Sequence, residues 1–242
     1  VARGIKTLNN FYYGPYWGGH EGGWYLKTEN WFANAELIHE IGGAEDLLYS
    51  AKPVKADVAI LYSSSTDIWT LGRNYAYGFD RMHTWLALTH AQIPVDILSE
   101  RDVEDGVLDN YKVCYFSGPN ITKKAANKLE EWLNNGGTLV LTAGAGTKDE
   151  YNQQLTLLEK VLPVNRGSTE ELQNYLSSGR YLDTLGAKDN VSIGNTSLEV
   201  LSVRQKMTPK AGAEVLGAFR DGSPAVVRDT VGAGTVYCYG FL

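Results

Sequence analysis

Between Lys112 and Gly146 two apolar runs bracket a helical pattern, and this unit constrains the fold more than any other segment of the chain. It reads Lys112-Val-Cys-Tyr-Phe-Ser-Gly-Pro119, then a helix, then Gly136-Gly-Thr-Leu-Val-Leu-Thr-Ala-Gly-Ala-Gly146. A strand, a helix and a second strand in this order form a crossover, and a crossover joins parallel strands. The corner at its end is lined with glycine. Such a corner turns sharply and is expected to lift one side chain above the sheet. Here that side chain is the methyl of Ala145, between Gly144 and Gly146, where a nucleophile would be Ser or Cys.

The bulk numbers exclude several classes. A chain of 242 residues with 43% hydrophobic and 21% charged residues has ordinary globular composition. The net charge of −6 and the lack of any Lys/Arg stripe argue against a nucleic-acid partner. Two cysteines cannot staple a domain of this size, and both lie in apolar runs, Cys114 in Val113–Phe116 and Cys238 in Val236–Tyr239. No stretch approaches the roughly 20 apolar residues of a membrane span, so a soluble protein is expected. The chain starts within a strand-like segment without an initiator Met, which reads as an excised piece and leaves its compartment open.

Residues 1–53 form one compositional block. A strand is expected over Ile5–Tyr13, then a Gly/aromatic loop to Trp24. A helix over about Glu29–Ser50 carries Ala33, Leu37, Ile41, Ala44 and Leu48 on one face. Residues 54–146 alternate strand and helix. The strands are Asp57–Tyr62, Ile93–Leu98, Val113–Ser117 and Thr138–Thr142. A polar loop holds Trp69, a helix spans about Tyr75–Ala91, and another starts at Thr122 and stops at Asn135-Gly-Gly137. This pattern predicts a doubly wound parallel sheet. Beyond Asp149 the spacing predicts helices near Glu150–Val161 and Thr169–Leu185. Short strands follow at Leu198–Val203, Glu214–Phe219, Ala225–Arg228 and Gly234–Gly240, with Asp221-Gly222 as a hairpin turn. They read as an antiparallel C-terminal extension.

In this order the chain resembles the flavodoxin-like, class I glutamine-amidotransferase-like fold. More narrowly it resembles the β-galactosidase trimerisation domain of family 42-type glycoside hydrolases. The residues carrying the resemblance are Lys55-Ala-Asp-Val-Ala-Ile-Leu-Tyr-Ser63, Ile93-Pro-Val-Asp-Ile97, Tyr111–Pro119, Gly136–Leu141 and Ser223-Pro-Ala-Val-Val-Arg-Asp229 through Tyr237. They are core strands and turns, so they speak to fold more than to chemistry. The resemblance also gives residues 1–53 a meaning. Arg3–Gly14 looks like the last strand of a (β/α)8 barrel, and Glu29–Ser50 looks like its final helix. It thus implies an upstream barrel as partner and a homo-oligomer, in this family a trimer.

The candidate chemistry is sparse. An amidotransferase of this kind needs a Cys at the corner and a His late in the chain, within reach of the thiol. The chain offers Ala145, and its four histidines are His20, His39, His83 and His90. Glycoside hydrolysis needs two facing carboxylates, which by resemblance lie on earlier barrel strands. Tyr12, Tyr13, Trp17, His20, Glu21 and Trp24 could wall a sugar subsite, the carbohydrate stacking on the aromatic faces, or could simply be barrel packing. Trp69, Tyr75, Asp80, His83 and Asp149 fall near the carboxyl edge of the expected sheet and could line a pocket or a subunit contact. The plain reading of Asp149-Glu150 is the acidic first turn of a helix. The adjacent pair His20-Glu21 lacks metal-ligand spacing, and neither metal nor cofactor is called for. The sequons at Asn120, Asn190 and Asn195 carry no weight without a secretory context. Three readings stay open. The first is a catalytically silent amidotransferase-like assembly domain, 54–242, behind a barrel remnant, 1–53. The second is a pseudoenzyme with a ligand pocket near Ala145. The third is a hydrolase pairing Glu21 with Asp67 or Asp80.

Overall fold

The computed structural model describes residues 28–70, 76–171 and 186–242, and the chain divides after Lys55 into two units. In the first unit α1 (Thr28–Gly43) is followed by α2 (Glu45–Ser50). The single helix expected over Glu29–Ser50 is interrupted at Ala44, directly after Gly42-Gly43, where two glycines hold helix poorly. Phe32, Leu47 and Tyr49 are exposed. The expected strand over Ile5–Tyr13 and its aromatic loop lie outside the described residues, as does the remainder of the expected helix beyond Glu171 up to Leu185.

The second unit is a mixed α/β domain. β1 (Val58–Tyr62), β2 (Val95–Ser99), β3 (Val113–Phe116) and β4 (Thr138–Leu141) pair in parallel, in the order β2-β1-β3-β4. These are the four strands expected from the apolar runs. Their order follows from the short crossovers through α4 (Ala76–His90) and α6 (Lys123–Asn134). The C-terminal strand β11 (Gly234–Tyr239) joins β4 in parallel and continues the sheet. Beyond it β10 (Pro224–Val231), β9 (Glu214–Phe219), β6 (Asp189–Ile193) and β7 (Thr196–Val200) add antiparallel strands. The sheet is therefore parallel at one end and antiparallel at the other.

One face of the parallel part is a dry core. Ala59, Leu61, Cys114, Phe116, Leu139, Leu141, Val236 and Cys238 point to it from alternate strand positions. α6 covers it with Ala125, Leu129, Trp132 and Leu133, all buried as their helical spacing predicts. Each fully buried leucine stabilises the fold by about 2–3 kcal/mol. The Thr122 hydroxyl caps α6 by accepting from Ala125 N at 3.1 Å, and Trp132 Nε1 donates to Tyr111 O at 3.1 Å. The helix ends at Asn134, with Asn135 as its C-cap and Gly136 left-handed at φ 112°, and position 137 must be glycine because a Cβ there would stand 2.5 Å from the Trp132 ring. Ser117 and Thr142 follow Phe116 and Leu141 with opposite parity, so they face away from α6 and toward α4.

Four sequence expectations are corrected. The polar loop around Trp69 is helical: α3 (Ser64–Thr70) starts where the Ser63 hydroxyl accepts from Thr66 N at 2.9 Å. No helix spans Glu150–Val161; a loop leads into a 3-10 turn at Leu158–Lys160. The Asp149 carboxylate accepts from Tyr151 N at 2.9 Å and Gln153 N at 2.8 Å, and Asn152 is left-handed at φ 62°, a geometry incompatible with a helix there. The helix expected from Thr169 begins instead as β5 (Val164–Glu171), paired antiparallel with β8 (Val203–Pro209) in a separate two-stranded sheet. Finally, the strand expected over Leu198–Val203 is broken between β7 and β8, where Leu201 N and Ser202 N both donate to Leu242 O.

Candidate functional site

Ligands in open parallel sheets bind outside the carboxyl ends of the strands. Here the described residues of that edge include buried polar side chains engaged with backbone. After β2, Ser99 and Asp102 form a capping box that opens α5 (Glu100–Glu104). This places Glu100, only 4% exposed, beneath the exit of β1. Its carboxylate accepts from Ser64 Oγ at 2.8 Å, Ser65 N and Oγ at 3.0 Å, and Thr122 N at 2.9 Å. Glu100 thus caps α3 and ties it to the start of α6. Asn120, fully buried, donates to Asp149 O at 2.9 Å, while its own carbonyl accepts from Ser63 Oγ at 2.7 Å and Thr66 Oγ1 at 3.0 Å. Neither residue stands out in the sequence; the only signal is an acid directly after a strand.

The glycine corner departs from its expectation. Gly144 and Gly146 do adopt left-handed φ, 77° and 63°, but Ala145 between them is fully buried within the main core. Its methyl points into the protein rather than above the sheet. Gly144 N donates to Gln205 Oε1 at 2.9 Å, and Gly146 N donates to Gly118 O at 2.9 Å. The Arg166 guanidinium, 5% exposed, donates to Ala145 O and holds Glu159 at 2.9 Å. The corner's amides and the Ala145 carbonyl are spent on internal bonds, so no oxyanion could find donors there. Cys114 and Cys238 are buried too, and desolvation pushes both thiols up to about 12. At neutral pH neither forms the thiolate that nucleophilic chemistry requires.

The remaining expected site residues separate. Asp80 lies on α4 and faces Ser117 and Thr142, whose buried hydroxyls have no other partner. Burial raises its carboxyl to about 6, against the opposing pull of the Ser117 hydroxyl, His83, Arg81 and Thr142. His83 is exposed and stacks on Phe79 at 6.4 Å between ring centroids. Asp67 pairs with Arg81 at 2.7 Å, and Arg81 lies over the Tyr62 ring at 5.2 Å. Asp67 is therefore engaged in an ion pair with Arg81. Asp149 is 1% exposed and bound to Lys123 at 2.9 Å, whose ammonium holds its carboxyl below the usual range. Trp69 Nε1 donates to Glu150 O at 3.0 Å, which ties Trp69 to the loop that follows Asp149. Tyr12, Tyr13, Trp17, His20, Glu21, Trp24 and Tyr75 lie outside the described residues.

A recess unseen in the sequence measures about 190 Å³ and is lined by Ser168, Glu170, Arg204, Lys206 and Asp221. Arg204 stacks 4.1 Å above Phe219, and its guanidinium donates to Asp189, Asp221 and Ser223. It reads as a brace between β8 and the β9–β10 turn. Among the described residues no three His, Cys, Asp or Glu side chains converge as a metal would require, and no helix is long and apolar enough to cross a membrane.

A mixed α/β domain, parallel at its core and extended by antiparallel strands, is thus the class these observations define. The chain belongs to the β-galactosidase trimerisation domain family, whose profile matches residues 56–242. Its fold is similar to that of Gan42B, a GH42 β-galactosidase from G. stearothermophilus, at 21% identity and TM-score 0.67, over 85% of this chain and 31% of that one. It is similar to the β-galactosidase of Bacillus circulans sp. alkalophilus at 20% identity and TM-score 0.66, over 86% of this chain and 31% of that one. The cold-adapted β-galactosidase of Rahnella sp. R3 matches at 18% identity and TM-score 0.68, over 86% and 32%. The chain spans about a third of the length of these enzymes. No curated protein sequence matches it.

Proposed function

We propose that residues 54–242 form a catalytically silent assembly domain of a larger glycoside-hydrolase-like protein, and that residues 1–53 are the last strand, loop and helix of its barrel. The domain packs beside that carbohydrate-active barrel and joins copies of the protein into an oligomer, a trimer by family. The family match over residues 56–242 carries this reading. The polar side chains at the described part of the carboxyl edge support it: Glu100, Asn120, Asp149 and Arg166 all hold backbone in place. The strand order β2-β1-β3-β4 followed by β11 agrees with descent from a flavodoxin-like, amidotransferase-like ancestor that kept its frame and lost its nucleophile. Light scattering on the purified chain tests the proposal. A stable oligomer at micromolar concentration is the expected result, and a monomer at all concentrations overturns it.

A ligand-binding reading has one observation in its favour, the Asp80 carboxyl raised to about 6 near the ends of β3 and β4. Perturbed acids cluster at functional sites. A thermal shift of the chain with galactosides, abolished by Asp80→Asn, distinguishes this reading from pure assembly.

A further inference from the structure

α3 leaves Ile68 71% and Trp69 46% exposed, and the nearby loop holds Tyr151 out at 68%. Single exposed apolar residues are ordinary on protein surfaces. The way these are held is not. The Trp69 indole is fixed by its bond to Glu150 O at 3.0 Å, which also places it beside the residue preceding Tyr151. The loop itself is fastened from beneath by two buried polar side chains. Asp149 accepts from the Tyr151 and Gln153 amides and pairs with Lys123. Asn120 donates to Asp149 O at 2.9 Å and to Asn152 Oδ1 at 3.2 Å. Glu150 accepts from Lys123 N at 3.0 Å, joining the loop to the first turn of α6. A surface loop this firmly braced presents its aromatic ring with little backbone freedom left to lose on docking.

We propose that Ile68, Trp69 and Tyr151 are an anchor that seats on a second copy of this chain. The inference rests on the assembly reading above and names the surface through which assembly occurs. A second copy is the occupant because the family is one of self-associating domains. The chemistry of the patch agrees. Ile68 offers a branched aliphatic surface with nothing for sugar hydroxyls. The acids around it are already engaged, Asp67 by Arg81, Asp149 by Lys123 and Glu150 by an amide. An apolar centre with aromatic anchors and a satisfied polar rim is the anatomy of a protein interface. In a cyclic trimer the contact is heterologous, so the anchor meets a different surface on its neighbour.

Sedimentation equilibrium of the whole chain tests this with Trp69→Ala and with the double variant Ile68→Asp, Tyr151→Glu. Each is expected to raise the dissociation constant of the assembly about 30-fold or more, the loss of one strong hot spot. Val215→Asp, on exposed β9, is the control and is expected to leave assembly unchanged. A photoreactive p-benzoylphenylalanine in place of Tyr151 provides a readout independent of variant stability, and covalent dimers of the chain are expected. Variants that assemble as tightly as the wild type, a control that dissociates equally, or crosslinks confined to one chain overturn the anchor while the assembly reading stands. A wild-type chain that never associates removes both.

Discussion

Replacing Asp80 with Asn should stabilise the domain at neutral pH and flatten its pH dependence. In the folded chain Asp80 is driven up from 3.8 to about 6 by burial. The folded state therefore binds this proton more tightly than the unfolded state does. Below the unfolded value the group is neutral in both states and does no harm. As pH rises from about 4 through 6 the unfolded chain ionises freely while the folded one resists, so stability is lost across that window. A shift of about two units at about 1.4 kcal/mol each amounts to roughly 3 kcal/mol by pH 7. Asn keeps the shape and can still bond the Ser117 and Thr142 hydroxyls, but it carries no charge to desolvate. Urea denaturation of wild type and Asp80→Asn from pH 4 to pH 8 measures the difference directly. Asp149, held below the usual carboxylate range by Lys123, titrates below this window, and the contrast between the two proteins isolates Asp80. The curves should converge near pH 4 and separate by up to about 3 kcal/mol at pH 7. Parallel curves, or an Asn variant less stable at pH 7, would refute the reasoning.

Three further outcomes follow from the same bonds. Glu100→Ala removes one acceptor from several buried donors and should cost about 3–5 kcal/mol in urea denaturation, as loss of one partner from a buried charged network does. Gly137→Ala forces a Cβ into the Trp132 ring and should cost about 1–3 kcal/mol, with the indole fluorescence altered in the folded state. Cys114 and Cys238, buried with thiols near 12, should resist a thiol reagent in the native chain and react at once in denaturant.

Where sequence and structure agree, the determinant is local. Periodicity with end signals marked α6 from Thr122 to Gly137, and short apolar runs marked β1 to β4, because such patterns need only a neighbouring layer to bury them. Where they part, geometry that periodicity does not encode has won. Residues 150–161 have helical spacing, yet Asn152 turns left-handed at φ 62° and Asp149 N donates to Gln153 O at 2.8 Å, closing a turn in place of a helix. The helical spacing that starts at Thr169 overlaps the end of β5, yet β8 offers a partner strand from some forty positions later. Ser63–Ser65 looked like loop until Glu100, beyond the next strand, capped them as helix.

The amino-acid order alone determined the parallel core, its crossover helix and the presence of Ala145 between two glycines at the corner, since each is written in neighbouring residues. Tertiary structure decided that Ala145 faces inward, that Asp80 is desolvated, and that Trp69 and Tyr151 share one rigid surface. Those properties depend on which chain segments shield a group from water and which atoms lie within bonding distance, and both are set only when remote segments pack together.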